Sequence, residues 1–162
     1  MLTSPDFKEL LSLLEKHKVR YLVVGGYAVM KYTEPRFTRD LDLWISTDEE
    51  NSKAVFAVLK EFGAPLKDLT PRDFTEKGYF YQMGNPPFRL DIMMSIPGVE
   101  FESAWGHREE VRLGEFVIPF ISKADLIKAK EASARPQDLI DAERLMKAEQ
   151  SNPVDNYSGR LK

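Results

Sequence analysis

The stretch Tyr21 to Ile45, YLVVGGYAVMKYTEPRFTRDLDLWI, joins an apolar run to a glycine pair and then sets two carboxylates inside a second apolar run. Tyr21 to Val24 is β-branched and apolar enough for a buried strand, and Gly25-Gly26 stops it where Tyr27 to Tyr32 take up helical spacing. This reads as strand, turn, helix. Two glycines let the backbone approach a ligand and present N–H groups at a helix N-terminus, the arrangement that holds phosphate. In the second run Asp40, Leu41, Asp42 and Leu43 alternate, so both carboxylates leave one face of a strand and the leucines the other.

Like charges side by side repel, and a chain tolerates them when a cation lies between them or when water solvates both. A hard divalent cation suits such a pair: Mg²⁺ takes oxygen ligands, keeps several waters and completes its shell on substrate phosphates, and Mn²⁺ is the alternative ion. Asp91, within the strand-like run Phe88-Arg89-Leu90-Asp91-Ile92-Met93-Met94, offers a third carboxylate. Each feature also has a plainer reading. A glycine pair after a strand is by itself more often a turn, and an Asp-x-Asp can sit on a solvated edge.

Gly25-Gly26, followed after a short helix by Arg36-Phe37-Thr38-Arg39-Asp40-Leu41-Asp42-Leu43, resembles the signature of the polymerase-beta-type nucleotidyltransferase superfamily. The likeness is to its small GG-type members, among them antibiotic nucleotidyltransferases and AbiEii-like toxin nucleotidyltransferases. It covers roughly Tyr21 to Met94. Lys128-Ala129-Lys130 and Arg135-Pro136-Gln137-Asp138-Leu139-Ile140-Asp141 are similar, more weakly, to the C-terminal helical segment of the same proteins. The resemblance implies a glycine turn (Gly25, Gly26) that holds a nucleoside triphosphate and metal-binding, catalytic carboxylates at Asp40, Asp42 and Asp91, the last able to act as base. Many members carry Gly-Ser at the turn, where the hydroxyl helps bind phosphate; this chain has Gly25-Gly26-Tyr27.

The resemblance further implies an NTP, ATP included, as co-substrate and a hydroxyl acceptor, with small molecule, tRNA end and protein side chain all open. A catalytically idle member, acting as a binding protein or one half of a toxin–antitoxin pair with a cognate partner, is the competing reading. Arg36, Thr38 and Arg39 stand just before the carboxylates and can meet phosphate oxygens, Arg through its bidentate fork. Arg39 can equally pair with a nearby aspartate. Tyr27 follows the turn and can stack on a base or pack in the core, and Lys130 can reach the nucleotide from a C-terminal helix. Asp138 and Asp141 share a helix face and either cap and pair with Arg135 or Arg144 or form a second metal site.

With 162 residues, 43% of them hydrophobic, the chain suits one domain over 1–150 with a polar tail from 151 to 162. The fold expected is α/β: a mixed twisted sheet flanked by helices, mainly on one side, with two C-terminal helices closing the site. Along the chain, Ser4-Pro5-Asp6 opens a helix to about Lys16, Thr47-Asp48-Glu49-Glu50 caps another ending at Gly63, and Thr70-Pro71 starts a short one. The Asp40/Asp42 strand is expected to present its carboxylates at an open edge. Gly78 to Met83 and Phe88 to Met94 read as a hairpin broken at Gly84 to Pro87, and Glu110 to Leu113 with Phe116 to Ile121 as another hairpin or an edge strand. Helices then run from Ser122 to about Ser133 and from Pro136 to about Gln150.

The absence of cysteine removes disulfides and thiolate chemistry, and a formal net charge of −3 argues against a general nucleic-acid coat. The chain carries no transmembrane-length apolar run and no signal-peptide pattern, so the expectation is a cytoplasmic protein without a membrane partner. His17 and His107 carry no ligand spacing and read as surface or capping residues. P-loop, Gly-x-Ser-x-Gly and Cys-x-x-Cys motifs are missing.

Overall fold

The computed structural model describes residues 4–38, 40–85 and 88–148; Arg39, the Pro86-Pro87 part of the expected hairpin break and the tail expected from 151 lie outside the described residues. In order, the elements are α1 (Pro5–Lys16), β1 (Tyr21–Val24), α2 (Gly25–Tyr32), β2 (Asp40–Ile45), α3 (Glu49–Phe62), a 3-10 turn (Pro71–Thr75), β3 (Phe80–Asn85), β4 (Phe88–Met93), α4 (Phe101–Gly106), β5 (Glu109–Leu113), β6 (Phe116–Phe120), α5 (Lys123–Ser133) and α6 (Pro136–Lys147). The strands form one sheet in the order β3-β4-β2-β1-β6-β5. β1/β2, β3/β4 and β5/β6 are antiparallel, whereas β2/β4 and β1/β6 are parallel, so the sheet is mixed as expected.

Local chemistry sets the helix ends. The Ser4 hydroxyl accepts from the Phe7 N–H at 3.2 Å and Pro5 fills the first helical position of α1. Asp48 caps α3 by accepting from the Asn51 N–H at 2.8 Å, and Gly63 ends it in the left-handed region at φ 86°. α4 has no counterpart in the sequence reading. It is six residues long, too short to show a helical period, and it forms because Phe101 and Ala104 are buried. Phe101 meets Trp44 edge-on at 5.1 Å.

Three expectations are corrected. β2 is not an open edge but an interior strand between β4 and β1. β3 does not stop at Met83: the ladder continues through Gly84 and Asn85, opposite Arg89 and Phe88. Helices occupy both faces of the sheet. Phe62 of α3 packs on Phe88 at 6.0 Å and Phe74 of the 3-10 turn on Tyr81 at 5.7 Å, so α3 and that turn cover the face carrying Leu90 and Ile92, with α1 packed on α3. On the opposite face α2 starts beside Asp42 and packs against α5 and α6. β1, buried at all four of its residues, needs cover on both sides, which one layer of helices cannot supply.

A buried asparagine joins these layers at the far end of β1 and β2. Asn51 accepts from the Arg20 N–H at 2.8 Å and donates to the Arg20 carbonyl at 3.1 Å and the Ser46 carbonyl at 2.7 Å. Asn51→Ala strips three backbone groups of their partner and is expected to lower unfolding free energy by roughly 2–4 kcal/mol. A urea midpoint shift at unchanged slope measures it; a loss under about 0.5 kcal/mol would mean the three groups do not depend on this side chain.

Candidate active site

The parallel pairing of β2 with β4 sets Asp42 level with Asp91 and Asp40 level with Arg89. Level residues on neighbouring strands share a face, so the carboxylates of Asp42 and Asp91 adjoin, and Asp40 stands two residues along on the same side. The antiparallel pairing of β1 with β2 puts Val24, the last residue of β1, opposite Asp42. The chain therefore turns at Gly25 beside this carboxylate. Gly25 has φ 68°, and a Cβ there would overlap the Asp42 carboxyl group, so only glycine fits the corner. α2 starts at once, with no side-chain cap and no acidic residue in its first turn, which leaves its first N–H groups for an anion.

At Gly26 a Cβ would lie 2.6 Å from the Thr38 hydroxyl. Thr38 therefore stands in the space a larger residue at the second turn position would take. Its hydroxyl adjoins the turn.

The electrostatics follow from this crowding. Burial pushes the Asp42 carboxyl up to about 7, helped by the neighbouring Asp91 and by Asp40, while the charge of Lys130 works the other way. Asp91 Oδ1 accepts from Gln82 Nε2 at 2.8 Å, and Gln82 is level with Asp91 across β3/β4. Asp40 Oδ1 faces Arg89 Nε at 3.8 Å, beyond hydrogen-bond range, and both atoms are shielded from solvent without a hydrogen-bond partner among the described residues.

Among the described residues no three His, Asp or Glu side chains form a ready-made metal cage. What converges is the Asp42/Asp91 pair, with the unsatisfied Asp40 oxygen alongside. Paired carboxylates, an acceptor without a donor and a backbone corner that excludes side chains fit a hard divalent ion, which takes the rest of its shell from water and phosphate.

The other sequence candidates divide. Arg36 gives both terminal nitrogens to Asp141, at 2.7 and 3.3 Å. Lys130 lies 3.2 Å from Asp138 and 3.3 Å from Asp141, and its charge reaches Asp42. Tyr27 is 6% exposed and belongs to the hydrophobic core, the second of the two readings the sequence left open for it. Of the two readings of Asp138 and Asp141, ion pairing is the one found: Asp138 pairs with Arg135 at 2.8 Å. Although burial opposes its ionisation, Asp138 is held at about 2 by hydrogen bonds from Ser133, Arg135 and Lys130, so cationic side chains already fill its coordination.

His17 and His107 are the C-caps of α1 and α4 and face Glu61 and Asp125. Gln82 and Arg89 escaped the sequence reading because only strand register sets them beside Asp91 and Asp40. An alternation count over Phe80 to Met93, with the hairpin register known, is the signal that could have found them.

Two solved structures are similar in fold. The lincosamide antibiotic adenylyltransferase LnuA, bound to lincomycin, superposes with a TM-score of 0.51 at 17% identity over 90% of this chain and 98% of that one. TM1012 of Thermotoga maritima, assigned as a nucleotidyltransferase, gives 0.54 at 20% identity over 86% and 88%. No curated protein sequence matches the chain. Residues 6–145, which contain the glycine corner, all three aspartates and the Lys130 cluster, match the family model of aminoglycoside-2''-adenylyltransferase, and the chain belongs to that family of nucleotidyltransferases.

Proposed function

We propose that the protein is a metal-dependent nucleotidyltransferase that moves the nucleoside monophosphate of an NTP, ATP in the first instance, to a hydroxyl of an aminoglycoside-type acceptor and releases pyrophosphate. The observation that carries this reading is the Asp42/Asp91 pair, level on neighbouring parallel strands at the uncapped start of α2. Membership of an adenylyltransferase family supports the donor and the acceptor class.

Asp42, Asp91 and the Asp40 oxygen would hold Mg²⁺ or Mn²⁺, which when bound neutralises phosphate charge and stabilises the attacking and leaving oxygens. The N–H groups opening α2 at Gly25 and Gly26 bind the β- and γ-phosphates, with the Thr38 hydroxyl beside them. Gln82 holds one oxygen of Asp91 and leaves the other to accept the proton of the acceptor hydroxyl. As the deprotonated oxygen of the acceptor bonds to the α-phosphorus, the bond from that phosphorus to the oxygen shared with the β-phosphate breaks and pyrophosphate leaves with the electron pair. Fixed dipoles and positioning supply most of the rate in such transfers.

Three outcomes test this reading. With labelled ATP, Mg²⁺ and a panel of aminoglycosides, label is expected on the acceptor with stoichiometric pyrophosphate; EDTA stops transfer, and Asp91→Asn lowers kcat by about 10²- to 10⁴-fold. No label on any acceptor with any NTP would overturn the proposal.

Gly25→Ala, strained at φ 68° and overlapping Asp42, is expected to abolish Mg-ATP binding in calorimetry while the circular dichroism spectrum stays folded.

In metal-free protein the third outcome concerns pH. The folded Asp42 carboxyl sits near 7 against an ordinary 3.8, so its contribution to stability is full below the ordinary value and is lost as pH rises through about 7. Asp42→Asn should therefore gain in Tm over wild type from pH 4 to pH 8. A difference independent of pH would refute the crowded-carboxylate account.

A further inference from the structure

The first half of α6 buries two carboxylates, Asp138 at 5% exposure and Asp141 at 1%. Acids this deep are retained only when paired. Asp141 is paired several times over: with both terminal nitrogens of Arg36 at 2.7 and 3.3 Å, with Lys130 Nζ at 3.3 Å and with Gln137 Nε2 at 3.2 Å. Arg36 belongs to the segment between α2 and β2 that delivers Thr38 and Asp40 to the site, and Lys130 belongs to α5. One carboxylate thus ties α6 to the approach of the site carboxylates and to the cation whose charge reaches Asp42.

Neither cation is exhausted by these contacts. A guanidinium has five N–H donors and an ammonium three, so the two hydrogen bonds from Arg36 to Asp141, and the two acids facing Lys130, leave donors on both. Their side chains keep 26% and 15% exposure, whereas Asp141 has almost none. The anion is fixed inside and the cations reach outward, the polarity required of a support for phosphate-binding groups.

We propose that Asp141 is a positioning residue for nucleotidyl transfer: from inside α6 it holds Arg36 and Lys130 as a two-cation clamp on the triphosphate bound at the glycine corner. This rests on the nucleotidyltransferase reading above. Docking of α6 then sets the clamp, and a triphosphate is the occupant because Lys130's charge reaches Asp42 and Arg36 stands two residues before Thr38, whose hydroxyl lies at Gly26, so both cations serve the corner where helix N–H groups take phosphate oxygens.

The test uses the full chain, with Mg-ATP binding measured by calorimetry and KM for ATP and for acceptor measured separately. Asp141→Asn keeps the size and one acceptor oxygen but removes the charge. Its dissociation constant and KM for ATP are expected to rise roughly tenfold to a hundredfold, with the KM for acceptor little changed. Combined with Lys130→Met, the loss should fall well short of the product of the two single losses, because both act through one clamp. An unchanged ATP constant in folded Asp141→Asn, or losses that multiply, overturns the proposal.

Should Asp141→Asn not fold, Arg36→Lys keeps the charge and breaks the two-pronged contact, and an unchanged ATP constant there overturns it equally. Wild-type protein without Mg-ATP binding would sink the functional reading and this proposal together. Wild-type binding with unaffected variants would sink this proposal alone.

Discussion

Two carboxylates held level by a parallel β-ladder are the constraint around which the rest of the molecule is arranged. Strand pairing sets Asp42 beside Asp91, and the backbone hydrogen bonds that do so keep both side chains on one face at one level. Burial of Asp42 makes the repulsion worse, since low polarity penalises its charge. The result is a carboxyl with a strongly raised proton affinity at a site the fold does not neutralise by itself. Such a pair costs the bare protein stability as pH rises towards 7, the usual relation between crowded carboxylates and stability.

The surroundings can be understood as consequences of that choice. An interior strand carrying charge on one face needs its other face sealed, and Leu41, Leu43, Leu90 and Ile92 are sealed by α3, with the 3-10 turn packed on Tyr81 of neighbouring β3. On the charged face the corner at Gly25 brings backbone N–H groups up to the acids without a side chain between. The cluster of Asp138, Asp141, Lys130, Arg36 and Arg135 then ties the C-terminal helices onto the same face. Buried ion pairs of this kind contribute little net stability after desolvation, but they fix which groups meet, and here they fix α6 against the loop that feeds β2.

Much of this was readable before any coordinates. Glycine at 25 and alternating acids at 40 and 42 are local signals, because φ preference and the two-residue period of a strand act over a few bonds. The caps at Ser4, Asp48 and Ser122 were equally local, and the helices begin beside them. Less local readings stayed open or failed. Tyr27 could stack on a base or pack in the core as far as its sequence position told, and helical geometry rotates it into the core. The Asp40/Asp42 strand looked like an edge because two acids suggested solvent, but it lies between β4 and β1. α4 was invisible because six residues hold no period.

The sequence by itself thus determined the alternation of elements, the glycine corner and the carboxylates that could serve chemistry, since each depends on residues a few positions apart. Only the tertiary structure decided which acids are neighbours. Asp91 joins Asp42 by register between strands some 50 residues apart, Gln82 joins Asp91 by a hairpin, and Asp141 joins Arg36 across 105 residues. The physical reason is one of range. Backbone preferences and side-chain periodicity are short-ranged, whereas charge pairing across strands and helices exists only after the whole core has packed.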